Sequence, residues 1–133
     1  MIKQAIAASL VTLLPLAVAA QEGDAEKGER VFRKCQACHA VGEDAKNKVG
    51  PALNGIIGST IASVEGFSYS SVLADMGAEG KTWTEEELAA FLEKPRDYAK
   101  GTKMAFAGLR KEEERANVIA YLATFSEEAD GGS

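Results

Sequence analysis

The chain is poor in side chains that bind metals through nitrogen or sulfur: its 133 residues include one histidine, two cysteines and three methionines. A closed structural zinc site needs four protein ligands, and beyond Cys35, Cys38 and His39 there is no further cysteine or histidine to complete one. Strand signals are also scarce. Without an alternating apolar run of useful length, neither a βαβ unit nor the thioredoxin-like dithiol that accompanies one is expected. Positive charge is in the minority. Fifteen Lys and Arg against 20 Asp and Glu leave a formal net charge of −5, which argues against nucleic acid or an anionic bilayer as main partner. Internal repeats, low-complexity runs and linkers are missing from residues 21–125, so one small domain is expected.

Long apolar runs are confined to the start. Lys3 precedes an apolar stretch over residues 5–16 broken by the small polar Ser9 and Thr12, and Val18-Ala19-Ala20 places small residues where a signal peptidase reads. The stretch falls short of the ~20 residues a spanning helix needs. Residues 1–20 therefore read as a cleaved secretory signal, with an uncleaved anchor as the alternative, and the mature domain as residues 21–133. Lys3 is the only charged side chain removed, so the net charge moves from −5 to −6. Residues 127–133 form a polar, glycine-containing end expected to fray.

What is present is concentrated in Cys35-Gln36-Ala37-Cys38-His39, which holds both cysteines and the only histidine. Two thiols three positions apart, followed at once by an imidazole, form the arrangement that attaches haem covalently: each sulfur adds to one vinyl group and the ring nitrogen binds iron. Two intervening residues make about one helical turn, so both sulfurs reach neighbouring porphyrin edges. A plain disulfide is the other reading for an exported chain. A small domain has a thin core, and a bound apolar plate would relieve that.

Periodicity predicts helices and long loops. Ala25, Gly28, Val31, Phe32 and Cys35 share one face of a helix capped by Asp24 that delivers Cys35 at its end. A short helix is expected from about Ser70 to Met76, closed by Gly77. Thr84 and Glu87 form a capping-box pattern ahead of Leu88, Phe91 and Leu92, and Pro95 stops that helix. Glu112, Glu113 and Glu114 open a last helix whose Ile119, Leu122 and Ala123 pack inward. The glycine-rich segments 41–59 and 94–108 are too long to be idle in a compact domain, and a flat cofactor gives them something to wrap.

With His39 on one iron face, function turns on the other. An open position permits gas binding or peroxide chemistry, whereas a protein ligand gives an electron carrier. With no second histidine, a methionine thioether is the natural sixth ligand, and Met76 and Met104 are the two that survive export.

The chain resembles the class I cytochromes c, and is most similar to the bacterial cytochrome c2 group, relatives of mitochondrial cytochrome c. The likeness covers nearly all of 23–125. It rests on Gly28, Phe32, the Cys35–His39 motif, Gly50-Pro51-Ala52-Leu53, Gly58, Trp83-Thr84, Lys94-Pro95, Gly101-Thr102-Lys103-Met104 and Ala120-Tyr121-Leu122. It implies an all-α, single-domain fold of helices and long loops around one covalently bound haem c. It also implies Met104 as distal ligand, the Pro51 carbonyl as acceptor for the His39 ring proton, and Tyr69, Trp83 and Thr102 at the haem propionates. Gly28 would let the first helix cross the last. Phe32, Leu53, Ile56, Leu92, Phe106 and Leu122 would form the apolar shell.

Lys34, Lys46, Lys48, Arg96, Lys103 and Arg110 match, or lie close to, the family's basic docking ring, with the acids clustered elsewhere. Ser59, Leu73 and Phe91 depart from residues that mitochondrial members carry around the haem, and Ala99-Lys100 lacks a proline often found before Gly101. The resemblance implies a periplasmic, monomeric, non-enzymatic one-electron carrier without membrane insertion. Its partners would be membrane redox complexes: a quinol-oxidising donor of the cytochrome bc1 type, and an oxidase or photosynthetic reaction centre as acceptor.

Overall fold

The computed structural model describes residues 7–12 and 23–125. Most of the leader reading at 1–20 and all of the tail at 127–133 lie outside the described residues. Among the described residues five helices follow in order: α1 (Ala25–Phe32), α2 (Ser71–Ala78), α3 (Glu85–Glu93), α4 (Pro95–Tyr98) and α5 (Glu112–Ala123). Among the described residues the nearest approach to a sheet is one isolated antiparallel bridge between Thr60 and Thr82. No described helix is long and apolar enough to cross a membrane.

Asp24 starts α1 by accepting the backbone N–H of Glu26 at 2.9 Å and of Lys27 at 3.2 Å on its side-chain oxygen, groups with no partner inside the helix. Its own N–H donates to Oδ1 of Asn117 at 2.8 Å, tying the start of α1 to α5. The two helices cross at Gly28, where an added Cβ would overlap the Asn117 carbonyl and crowd Tyr121. Phe32 and Tyr121 pack beside the crossing with ring centroids 5.5 Å apart. α5 buries Val118, Ile119 and Leu122, each contributing about 1.5–3 kcal/mol relative to exposure.

The helix ends differ from the sequence expectations in three places. α1 stops at Phe32 rather than reaching Cys35. The backbone continues in tighter turns, with the Lys34 N–H on the Val31 carbonyl and the His39 N–H on the Cys35 carbonyl. No glycine or proline marks that change. α2 runs through Gly77 to Ala78 and closes at Gly80, whose φ is +83°. Gly77 is needed instead for close approach, because a side chain there would meet the Ile61 carbonyl. Pro95 ends α3 and also begins α4, since its fixed φ suits the first helical position.

Thr84 caps α3 as expected, its Oγ1 accepting the Glu87 N–H at 3.0 Å. The Glu87 carboxylate accepts the phenol hydrogen of Tyr98 on α4. Between α1 and α2 the chain is irregular but pinned. Trp83 exchanges backbone hydrogen bonds with Gly58 at 2.7 Å and with Ser59 at 2.8 Å, and the Ile61 N–H reaches the Lys81 carbonyl at 2.9 Å. The loop after α1 is thereby fixed to the connection before α3. The core beneath contains Ile56, Ile61, Trp83, Leu88, Phe91, Leu92 and Leu109.

Candidate functional site

The helices and loops surround a cavity of about 350 Å³ lined by both cysteines, His39 and Met104, together with apolar side chains that include Phe32, Leu53, Ile56, Leu92, Phe106 and Leu122. Met76 is elsewhere, packed against the core from α2. The cavity brings together four soft or nitrogen donors in a largely apolar space. That donor set suits a flat iron cofactor attached through two sulfurs.

One wall is built by the turns after α1. The backbone N–H of His39 donates to the Cys35 carbonyl at 2.9 Å, and the Gly50 N–H to the Cys38 carbonyl at 2.8 Å. These bonds hold Gly50 against the imidazole face so closely that a Cβ would overlap the ring. The ring's Nδ1 lies 2.8 Å from the Pro51 carbonyl. A carbonyl oxygen only accepts, so Nδ1 carries the proton and the neutral ring keeps its lone pair at Nε2. Burial lowers the imidazole pKa; the Pro51 hydrogen bond opposes this and Lys48 adds to it. The ring is thus neutral near pH 7 and able to ligate. Cys35 and Cys38 form no disulfide, so both sulfurs are available for attachment. Burial pushes the Cys35 thiol up to about 11, with Cys38 adding and Lys34 opposing.

Met104 lies on the segment between α4 and α5. The Thr102 N–H donates to the Ala99 carbonyl at 3.0 Å, and the Met104 N–H donates to Thr102 Oγ1 at 3.3 Å. Tyr69, Trp83 and Thr102 also line the cavity. The Tyr69 oxygen accepts the Val64 N–H at 3.0 Å, and the tyrosine's pKa is raised by burial, partly offset by that bond.

Two contributors were not legible in the sequence. Ser70 lines the cavity with a buried Oγ that has no hydrogen-bond partner. An orphaned buried hydroxyl costs about 1–3 kcal/mol, so its place fits a polar group on the cofactor. No sequence signal distinguishes it from an ordinary residue at a helix start. Asn54 clamps the loop after His39 by accepting from the Gly42 N–H at 2.9 Å and donating to the Gly42 carbonyl at 2.7 Å. Of the departures, Ser59 turns its hydroxyl to the Ile56 carbonyl at 2.7 Å, while Leu73 and Phe91 line the cavity.

All six basic residues of the expected docking ring are exposed. Lys34 and Lys103 reach the cavity lining, whereas Arg96 and Arg110 border a separate hollow of about 360 Å³ with Lys94 and Asp97. The Lys48 ammonium donates to the Gln36 carbonyl at 2.7 Å. The expectation that the acids cluster away from the basic ring fails at one of its members, Lys34. Lys34 Nζ lies 3.4 Å from Glu114 and Lys27 Nζ 4.0 Å from Glu113, because the α1–α5 crossing brings the acidic first turn of α5 beside α1.

A family profile described as Cytochrome c matches residues 25–126. Cytochrome c-550 of Ancylobacter novellus is 56% identical over 105 residues, covering 79% of this chain and 96% of that protein. Cytochrome c2 of Agrobacterium tumefaciens (strain II Chrys) is 54% identical over 101 residues, covering 76% and 91%. The structure of cytochrome c2 from Rhodospirillum centenum superposes with a TM-score of 0.73 at 46% identity, covering 78% of this chain and 99% of that one.

Proposed function

This chain belongs to the cytochrome c family, and from that premise we propose that it works as a soluble periplasmic one-electron carrier with iron held between His39 and Met104. As in the family, the cofactor is covalently attached haem c and the protein's role is electron transport. The sequence has one attachment motif, for one haem per chain. When bound, that group supplies one-electron exchange between ferric and ferrous iron.

The chain's own contribution is to hold, orient and keep water from the site. Cys35 and Cys38 provide the two attachment sulfurs. His39 offers Nε2 because Pro51 fixes the proton at Nδ1, and a bond of this kind raises imidazole basicity. Met104 offers a soft thioether, which favours the ferrous form and raises the potential. Tyr69, Ser70, Trp83 and Thr102 line the cavity, offering hydroxyl and indole groups to the propionates. The apolar remainder excludes water. With His39 and Met104 both holding the iron, no position would be left for a substrate, which would suit a carrier rather than an enzyme.

The observation that carries this reading is that His39 and Met104, from two separate loops, line the same apolar cavity as both thiols. Replacing Met104 with Ala tests it. The ferric absorption band of sulfur–iron bonding should vanish, and the ferrous protein should gain carbon monoxide binding. Survival of the band in the variant would move the assignment to Met76, and ready carbon monoxide binding by the unaltered protein would mean a vacant site.

Removal of residues 1–20 would leave residues 21–133 in the periplasm, which an intact mass of the purified protein checks. Lys34, Lys46, Lys48, Arg96, Lys103 and Arg110 would face negatively charged surfaces of membrane redox complexes. Candidates are a quinol-oxidising donor, and an oxidase or reaction-centre acceptor. Association should then slow as salt screens the charges.

A further inference from the structure

Trp83, the chain's only tryptophan, is 5% exposed and lines the cavity. From it a run of packed rings leads outward. Phe91 lies 5.0 Å from Trp83 between ring centroids, and Tyr98 lies 6.1 Å from Trp83 and 5.8 Å from Phe91. Tyr98 is half-buried, and its phenol donates to the carboxylate of exposed Glu87. An oxidisable indole at the cavity, an oxidisable phenol toward the surface and a proton acceptor already hydrogen-bonded to that phenol form a connected set.

We infer that Trp83, Tyr98 and Glu87 form an outlet that carries damaging oxidising equivalents from the cavity wall to the protein surface. A peroxide-derived one-electron oxidant acting in the cavity removes an electron from the Trp83 indole, leaving its radical cation. Tyr98 returns an electron to Trp83 and, in the same step, passes its phenolic proton to the Glu87 carboxylate. The products are neutral Trp83, a Tyr98 phenoxyl radical and protonated Glu87. A soluble thiol then gives a hydrogen atom to the phenoxyl oxygen and becomes a thiyl radical itself, and Glu87 releases its proton to water.

The proton acceptor is what distinguishes Tyr98. Oxidation of a phenol makes it strongly acidic, so transfer is efficient where a base is within hydrogen-bond reach. The Tyr98 phenol is pushed up to about 12 by burial and by the hydrogen bond and charge of Glu87, so it is protonated at neutral pH and has a proton to give. Tyr69 also lines the cavity, but its hydroxyl is met by the Val64 N–H, which cannot take a proton. Tyr121 packs with Phe32 and Phe125 and does not itself line the cavity.

The inference rests on haem occupying the cavity, and its test separates the two. Ferric holoprotein is mixed with hydrogen peroxide and freeze-quenched for electron paramagnetic resonance, with mass spectrometry of the products. A second arm uses a flash-generated ruthenium(III) polypyridyl oxidant, which acts whatever the cavity holds. Tyr98→Phe should abolish the tyrosyl signal and lengthen the life of the indole radical in both arms, with several-fold more oxygen added at Trp83 in the peroxide arm. Glu87→Gln, which keeps a hydrogen-bond acceptor without the basicity, should lower the tyrosyl yield several-fold, and Tyr121→Phe should leave it unchanged. A tyrosyl signal that persists in Tyr98→Phe, an unchanged indole lifetime, or an unaltered yield in Glu87→Gln would overturn the proposal. Failure in the peroxide arm alone would mean that peroxide forms no oxidant in the cavity while His39 and Met104 both stay attached, which overturns the peroxide source. The ruthenium arm decides the ring relay itself.

Discussion

The two segments that carry the proposed iron ligands, His39 and Met104, are built in different ways. His39 is held from several directions: backbone bonds on both sides, the Pro51 carbonyl on Nδ1 and the Gly50 backbone against the ring face. Met104 hangs on an irregular segment steadied near the ligand by the Thr102 turn and a 3.3 Å bond to the Thr102 hydroxyl. The first arrangement fixes a ring in place and tautomer. The second leaves a flexible thioether free to adjust, as methionine does well. On the proposed ligation, one ligand of this chain belongs to the framework and the other depends on the cavity being filled.

Four changes can break or sharpen this contrast. Gly50→Ala should do the most damage, at about 3 kcal/mol or more, because the added methyl must displace His39 from its Pro51 bond. The measurement is guanidinium unfolding, together with the yield of haem-loaded protein. Met104→Ala should come next, at about 2–3 kcal/mol, with covalent attachment retained. If it cost more than Gly50→Ala, the ranking of the two walls would be wrong.

Asn54→Ala removes both bonds to Gly42 at an exposed site and should cost about 1 kcal/mol, sensed as a lower denaturation midpoint. The smallest effect is expected at Tyr98. The Tyr98 phenol rises from its usual 10.0 to about 12 on folding, so the folded protein holds this proton more tightly. Stability should fall as pH rises from 10 to about 12. Tyr98→Phe should flatten that decline in alkaline denaturation curves, and an equally steep curve would refute it.

Where local chemistry sets an element, the sequence was sufficient to read it. Asp24 and Thr84 cap helices through side-chain oxygens that meet free N–H groups, and the attachment motif declares itself by composition. The apolar shell that the resemblance implied lines the cavity, although Leu53, Ile56 and Phe106 lie outside the helices, where no periodicity marks them. Tertiary crowding was harder to see. Gly77 resembles a helix stop but serves the approach of Ile61, and Pro95 starts a helix as well as ending one. The partnerless hydroxyl of Ser70 and the nearness of Glu114 to Lys34 depend on segments remote in the chain, which spacing rules do not encode.

The Asp24–Asn117 bond spans 93 positions, and the α1 face it secures has no partner until α5 exists. A chain emerging from its N-terminus therefore leaves the attachment motif unsheltered until nearly all of it has been made. Loop closure over such a span is slow and entropically costly. Until that last helix docks, the wall that carries both thiols stays open, and docking then closes it.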